Sequence, residues 1–331
     1  MGSLPRRSNI VLKPIRGGAT IGPVALSLRT DDLHLMLDCG ADGNGRAAWT
    51  SSIDDPDACW VSHVHNDHVG GLPDLLMGRP RLDCVGLDGT ARLADYALRA
   101  HPNCDGERAA DIADGLRTVE PRTWFELPRR RLPGEPSVRA MVFPAGHMLG
   151  AGMLLVEIPT DGEPYRLLYT GDFCCHDQSL VAGAALPKPT DDFRIDALVM
   201  EGVLATDRGA DGVDYDEELE AFCDWMAGRA GPGLVAVNAL GESVELAAAL
   251  AERGVEPVLH DDLAPVLEAY RGASGVERAG SPRSSLEATT VAESGHALSF
   301  LNEGRIVLAP GDQLNRGTHA YDLAGAIFDN P

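Results

Sequence analysis

Three histidines and an aspartate fall close together in the stretch SHVHNDHVGG, residues 62–71: His63, His65, Asp67 and His68. Imidazole nitrogen and carboxylate oxygen are ligands that suit zinc, and the mixture fits a hydrolytic site that keeps one coordination position open for water. The run follows an apolar, strand-like ACWV. In extended backbone alternate side chains share a direction, so His63 and His65 point the same way, while Asp67 and His68 follow a turn and serve a second position. A segment leaving its strand as an irregular loop would let these four side chains converge on two adjacent cations. Four ligands do not complete two metals, so further ones must come from elsewhere.

Two other stretches supply them. FPAGHMLGAGMLLVEI presents His147 at the end of a strand, and LLYTGDF presents Asp172 after another; LMLDCG and DALVMEG place Asp38 and Glu201 in the same way. Each polar residue closes an apolar run beside glycine, which lets backbone approach closely. A lone strand-terminal aspartate or glutamate ordinarily caps a turn. Recurrence of such groups beside H-x-H-x-D-H instead predicts one rim of a sheet that carries a site.

The elements that must position these groups divide the chain. Short alternating or apolar runs, GPVALSL, LHLMLDCG, ACWVSH, VRAMVFPAGH, GMLLVEI, YRLLYTGD and DALVME, read as strands separated by Gly, Pro and Asp turns. Past residue 205 strand and helix alternate: DYDEELEAFCDWMAG has helical spacing, GLVAVNAL is a buried strand, GESVELAAALAERG is a helix ending on glycine, and EPVLHD opens another pair. That pattern predicts a parallel α/β sheet. The boundary falls near 206, at TDRGADGVD, giving domains 1–205 and 206–331; residues 271–289 read as a surface loop.

With 331 residues, 44% of them hydrophobic, the chain has material for one large core or two smaller ones. No run of eighteen apolar residues exists, which excludes a helical membrane span. The N-terminal PRRSNIVLKPIRGGATIGPVALSL reads as strand rather than export leader, because Lys13 and Arg16 interrupt the apolar stretch. Seven cysteines, an odd number with no C-x-x-C pair, fit reduced thiols in the cytoplasm and are read as small buried hydrophobes. Net charge is −22, and only Lys13 and Lys188 are lysine. Such an acid-rich, lysine-poor composition resembles proteins of salt-loving archaea. At molar salt the screening length falls to about 3 Å, so acidity does not argue against a nucleic-acid partner. Arg122, Arg129, Arg130 and Arg131 form the one dense basic patch, with Trp124 and Phe125 nearby. It reads either as a phosphate-binding flank with stacking partners or as a solvated loop offsetting neighbouring acids.

The stretches LMLDCG, SHVHNDHVGGLP, AGHMLGAGMLLVEI, LLYTGDF and DALVMEG, spanning residues 33–202, resemble the metallo-β-lactamase superfamily. Within it they resemble the β-CASP branch, which includes mRNA 3′-end-processing endonucleases and ribonuclease J. GPGLVAVNALGESVELAAALAERG and GRIVLAPGDQLNRG are similar, more weakly, to the β-CASP domain. The resemblance implies an α/β fold: an αββα sandwich followed by a partial β-CASP-like α/β domain. It implies two zinc ions, with manganese as the alternative, one held by His63, His65 and His147, the other by Asp67 and His68, with Asp172 bridging both. Asp38 would orient a ligand histidine, and Glu201 matches the acid that orients a catalytic histidine in the family.

Family members return to the first domain after the β-CASP insertion and supply two more histidines, whereas this chain stops at IFDNP. His260, His296 or His319 would then substitute, or a partner chain or water would fill the place, or catalysis would be lost. Each of the three reads more simply as an ordinary surface histidine. The expected function is a zinc-dependent ribonuclease hydrolysing RNA phosphodiesters with a metal-activated hydroxide, in mRNA processing or decay. Asp67 would orient the water, and activity would be weak or partner-dependent for want of a proton donor worth about 100- to 10,000-fold. The alternatives are a silent RNA-binding subunit pairing with a second copy or a related nuclease, a DNA nuclease, and a small-molecule hydrolase, which gives no reason for the chain beyond residue 206.

Overall fold

Apolar alternation in the first two hundred residues closes into two sheets. The structure, a computed structural model, describes residues 9–18, 22–42, 45–128, 137–188, 191, 193–203, 213–229, 231–273, 286–287, 289–293, 295–311 and 314–329. The first sheet takes β1 (Val11–Arg16), β2 (Ala25–Arg29), β3 (His34–Leu37), β4 (Ala58–Trp60), β5 (Asp83–Gly86) and β6 (Arg117–Thr118) in that order. β1 to β3 pair antiparallel and β3 to β6 parallel. Each parallel step past β4 needs a crossover. Helices α1 (Asn66–Val69) and α2 (Leu72–Met77) supply the first, α3 (Asp88–Leu98) and α4 (Gly106–Asp114) the second. Crossovers of this kind are right-handed, which puts all four helices on one face.

The other face meets the second sheet, in the order β11-β10-β9-β8-β7: β7 (Phe125–Glu126), β8 (Arg139–Pro144), β9 (Gly152–Ile158), β10 (Tyr165–Tyr169) and β11 (Ala197–Val199). Leu35, Leu37, Trp60 and Val85 from the first sheet and Val142, Leu154, Val156 and Tyr169 from the second form one buried core. Each large apolar side chain removed from water there contributes roughly 1.5–3 kcal/mol. On the helix side of the first sheet Met36 and Cys59 are fully buried and Cys84 nearly so. Burial pushes the Cys84 thiol up to about 12. Cys174 is half-buried and Cys175 exposed, which corrects the reading of all seven cysteines as buried. Burying five thiols leaves small inert side chains, whereas the other two sit in the loop after Asp172.

The later part of the chain builds a second sheet system, all parallel, from β12 (Gly233–Val237), β13 (Val258–Leu259), β14 (Thr290–Val291) and β15 (Ile306–Pro310), ordered β12-β15-β13-β14. The helices are α5 (Tyr215–Ala227), α6 (Glu242–Glu252), α7 (Ala264–Gly272), α8 (Ala297–Asn302) and α9 (His319–Asp329). Asp214 starts α5 by accepting from the amides of Asp216 and Glu217. Val258, Ala292, Leu301 and Val307 centre its core. This is the mixed α/β architecture that strand–helix alternation predicts.

The chain divides into two units, Met1–His176 with Gly183–Val203, and Asp177–Ala182 with Leu204–Pro331. The short 177–182 piece is tied into the second unit by the buried Glu245 of α6, which accepts from the Leu180 amide at 2.7 Å and the Val181 amide at 3.2 Å. The boundary read near 206 lies outside the described residues, as do 274–285 and 288 of the loop read at 271–289; α7 takes its beginning. Among the described residues no helix is long and apolar enough to cross a membrane.

Candidate metal centre

The chain passes from β4 through His63 and then, at His65, caps the single turn of α1. Only the first half of H-x-H-x-D-H is therefore loop. Asp67 and His68 stand on a helix, whose backbone is locked to strand ends: the Val24 amide donates to Asp67 O and the Cys39 amide to His68 O, both at 2.7 Å. The approach is so close that a Cβ on Gly40 would lie 1.9 Å from Asp67 O. Glycine is required there by contact, not by conformation. His147 follows β8 and Asp172 follows β10, where Gly171 holds φ +54 with Ser62 against its open side.

Five of the predicted side chains converge. His65 Nδ1 lies 3.1 Å from His63 Nε2 and 3.1 Å from His147 Nε2. One ring proton cannot serve two such neighbours at once. A tetrahedral zinc with bonds of about 2.0–2.1 Å separates its nitrogens by roughly 3.3 Å, close to this spacing. His63, His68 and Asp172 form a second group able to hold a metal ion. Asp172 turns Oδ1 to His68 Nε2 at 3.3 Å and Oδ2 to His63 and His147 Nε2, each at 3.9 Å. One carboxylate thus faces both groups with different oxygens. The donor set and its spacing fit a divalent ion at either group.

Asp67 lies outside both groups, half-exposed, with Oδ2 3.9 Å from His68 Nε2. Asp38 is fully buried at φ 62, a left-handed conformation that aspartate tolerates better than most residues. Its Oδ2 takes His68 Nδ1 at 2.7 Å, the Ser62 hydroxyl at 2.7 Å and the Tyr169 hydroxyl at 2.5 Å, and its Oδ1 takes the Ser62 amide at 2.7 Å. Ser62 and Tyr169 are the residues that sequence reasoning missed. Both sit inside quoted motifs, but a hydroxyl in an apolar run carries no metal-ligand signature. Glu201 accepts from the amides of Phe173 and Val203 and so braces the loop after Asp172. It makes no hydrogen bond or ion pair with either metal-ligating group among the described residues.

Burial sets the charge of the cluster. It drives His63 well below the ordinary histidine value and His147 down to about 4, aided by neighbouring histidines. Both rings offer lone pairs at neutral pH. For His68 burial pulls the same way, but Asp38 and Asp172 outweigh it and raise the ring to about 10. The two carboxylates thus favour the protonated ring, and a cation held at Nε2 would compete with its outer proton.

Arg129, Arg130 and Arg131 lie outside the described residues. In the second unit His296 is exposed, as read from sequence. His260 departs from that reading: it is largely buried, stacks on His319 with centroids 4.3 Å apart and accepts from the Asp262 amide. Capping a 3₁₀ turn explains its burial.

The sandwiched sheets and their histidine–aspartate rim resemble those of the metallo-β-lactamase class. A family model described as "Anti-Pycsar protein Apyc1" matches residues 25–80, which contain the H-x-H-x-D-H run. The chain is 27% identical over 269 residues to "Cleavage and polyadenylation specificity factor subunit 3" of Dictyostelium discoideum, covering 75% of this chain and 33% of that one. It is 29% identical over 201 residues to an "RNase J-like protein" of Methanocaldococcus jannaschii, covering 60% and 44%. Within the class its similarity is therefore to the β-CASP branch. The match spans about a third of the Dictyostelium relative and under half of the other. In fold, a crystal structure of a protein of unknown function from Enterococcus faecalis superposes with TM-score 0.56 at 13% identity, covering 94% of this chain and 78% of that one.

Proposed function

We propose that the protein is a metal-dependent phosphodiesterase that cleaves RNA, a zinc-dependent ribonuclease of mRNA processing or decay. The supporting observation is Asp172, whose two oxygens face two histidine groups. In this reading His63, His65 and His147 hold one zinc, Asp67 and His68 the other, and Asp172 bridges. Two divalent ions held there supply Lewis-acid stabilisation of a phosphodiester and water activated at neutral pH. The chain's own residues set the geometry. Asp38 fixes the His68 ring through Nδ1, and Ser62 and Tyr169 fix Asp38 in turn. In the same reading Asp67, the more exposed carboxylate, would orient the water. The related proteins' names, a cleavage and polyadenylation factor and an RNase J-like protein, support RNA as substrate. The reading includes a hydrolase domain at 1–205, a β-CASP-like domain at 206–331, a cytoplasmic site of action, and association with a second copy or a related nuclease.

The test is metal content and cleavage together. Purified protein loaded with zinc or manganese is expected to hold two ions per chain and to cleave unstructured RNA at low or molar salt, with His63→Ala and Asp172→Ala inactive. Absence of bound metal after loading would defeat the proposal. Two bound ions with no cleavage of RNA or DNA would favour a silent RNA-binding subunit.

A further inference from the structure

The strands that lead to His147 and Asp172 carry a second polar cluster on the face turned away from the core. Cross-strand register sets Arg139 of β8 opposite Glu157 of β9, and Glu157 opposite Arg166 of β10. Three residues distant in sequence thus form one row. Glu157, nearly buried, accepts from Arg139 Nε on one oxygen and from Arg166 Nε on the other, each at 2.6 Å. Among the described residues no protein acceptor meets the Nη ends of these two guanidiniums. Glu157 therefore holds them side by side and leaves their outer edges for something else.

Aromatic rings back each cation. Arg139 lies 4.3 Å over Trp124, Arg166 5.9 Å over Phe193, and a third arginine, Arg122, 5.0 Å over Phe143. Arg122 adopts φ 56, a conformation costing a non-glycine residue about 1–2 kcal/mol. Such outliers persist where the fold imposes them and gather at functional places. Together these residues line a cavity of about 390 Å³, with Met141 and Asp191 completing the wall. Three guanidiniums against two carboxylates leave it locally positive in a chain of net charge −22.

Structural ion pairing explains Glu157 and its two Nε contacts, since a buried carboxylate needs partners. It does not explain Arg122, which pairs with no acid among the described residues, or the three cation–ring pairs around one hollow. β8 runs from Arg139 to Pro144 and on toward His147. Arg139 to Phe143 spans about 13 Å at roughly 3.3 Å per residue. A row of that length suits several phosphates and bases better than one small anion.

We propose that this cavity binds single-stranded nucleic acid, the guanidinium edges taking phosphates and the partly exposed Trp124 and Phe193 rings taking unstacked bases, with the buried Phe143 supporting Arg122 from beneath. A duplex keeps its bases inside and is excluded by the same chemistry. The inference rests on the proposed ribonuclease reading only for what the strand is bound for.

Fluorescence anisotropy on the full chain tests it, with a fluorescein-labelled ten-nucleotide oligouridylate, its deoxythymidylate counterpart and a hairpin duplex as probes. Trp124→Ala combined with Arg139→Gln is expected to weaken single-strand binding on the order of 10-fold or more, with duplex binding weak throughout. Arg122→Gln, at an exposed position, provides the second variant should the first fail to fold, read by its unfolding midpoint. The RNA and DNA arms distinguish the source of the strand. Hydrolysis of bis(p-nitrophenyl) phosphate, a small ester that needs only the metal site, is expected to stay unchanged in both variants. Equal binding by wild type and variants, equal binding of duplex, or no single-strand binding by wild type would overturn the cavity's role. Loss of strand binding in the variants of a protein that hydrolyses no phosphodiester would uphold the cavity and defeat the ribonuclease reading.

Discussion

The sandwich of the first two sheets offers two polar sites of opposite design. At its rim, His63 and His147 are stripped of charge by burial, so a dense cluster of bases can exist without repelling itself and waits for a cation. On its outer face Arg139 and Arg166 cannot lose their charge, so a carboxylate is placed between them, and the cluster suits an anion. One scaffold thus holds like groups together either by neutralising them or by pairing them. The first strategy makes ligand donors of side chains, the second makes a fixed positive edge.

Breaking each strategy gives effects of graded size. Asp172→Ala removes the carboxylate that faces both histidine groups, and phosphodiester hydrolysis is expected to fall on the order of 1,000-fold, with bound zinc dropping below two per chain by elemental analysis. Asp38→Asn keeps the packing but alters what holds His68, and zinc affinity measured by chelator competition should fall about 10- to 100-fold; an unchanged affinity would separate Asp38 from the centre. Gly40→Ala forces a methyl onto Asp67 O and should cost about 1–3 kcal/mol, read as a lower unfolding midpoint with metal loading impaired.

The smallest effect concerns the outer face and pH. Burial raises the Glu157 carboxyl, but the bonds from Arg139 and Arg166 outweigh it and hold it below the ordinary carboxylate value. A group depressed in the folded state stabilises above its unfolded pKa, and that contribution disappears as pH falls through the folded value. Wild type should therefore lose stability between the unfolded glutamate range and the lower folded one more steeply than Glu157→Gln. Parallel acid-unfolding curves for the two would remove Glu157 from that role.

The rim was readable from sequence and the outer face was not, for a physical reason. H-x-H-x-D-H, His147 and Asp172 are rare residue types at strand ends, and their chemistry shows without knowing register. Arg139, Glu157 and Arg166 are ordinary outward positions of alternating strands, and only pairing across β8, β9 and β10 brings them into a row. Arg122 and Trp124 stand out in the sequence only beside an arginine run at 129–131 that lies outside the described residues. Ser62 and Tyr169 were hidden in the same way, since a hydroxyl donates to Asp38 only after two sheets have met. The mixed α/β architecture and the parallel sheet of the later part followed from periodicity alone. The passage of 177–182 into the second unit did not, because six residues carry no period.

That hexapeptide makes the amides of Leu180 and Val181 natural reporters. They are held by Glu245, so their hydrogen exchange follows opening of the second unit even though they lie only a few positions past Asp172 in the chain. A fragment beginning at 204 would remove the Leu180 and Val181 amides from the buried Glu245 carboxylate, and dissecting the two units by simple truncation would damage the one it means to isolate.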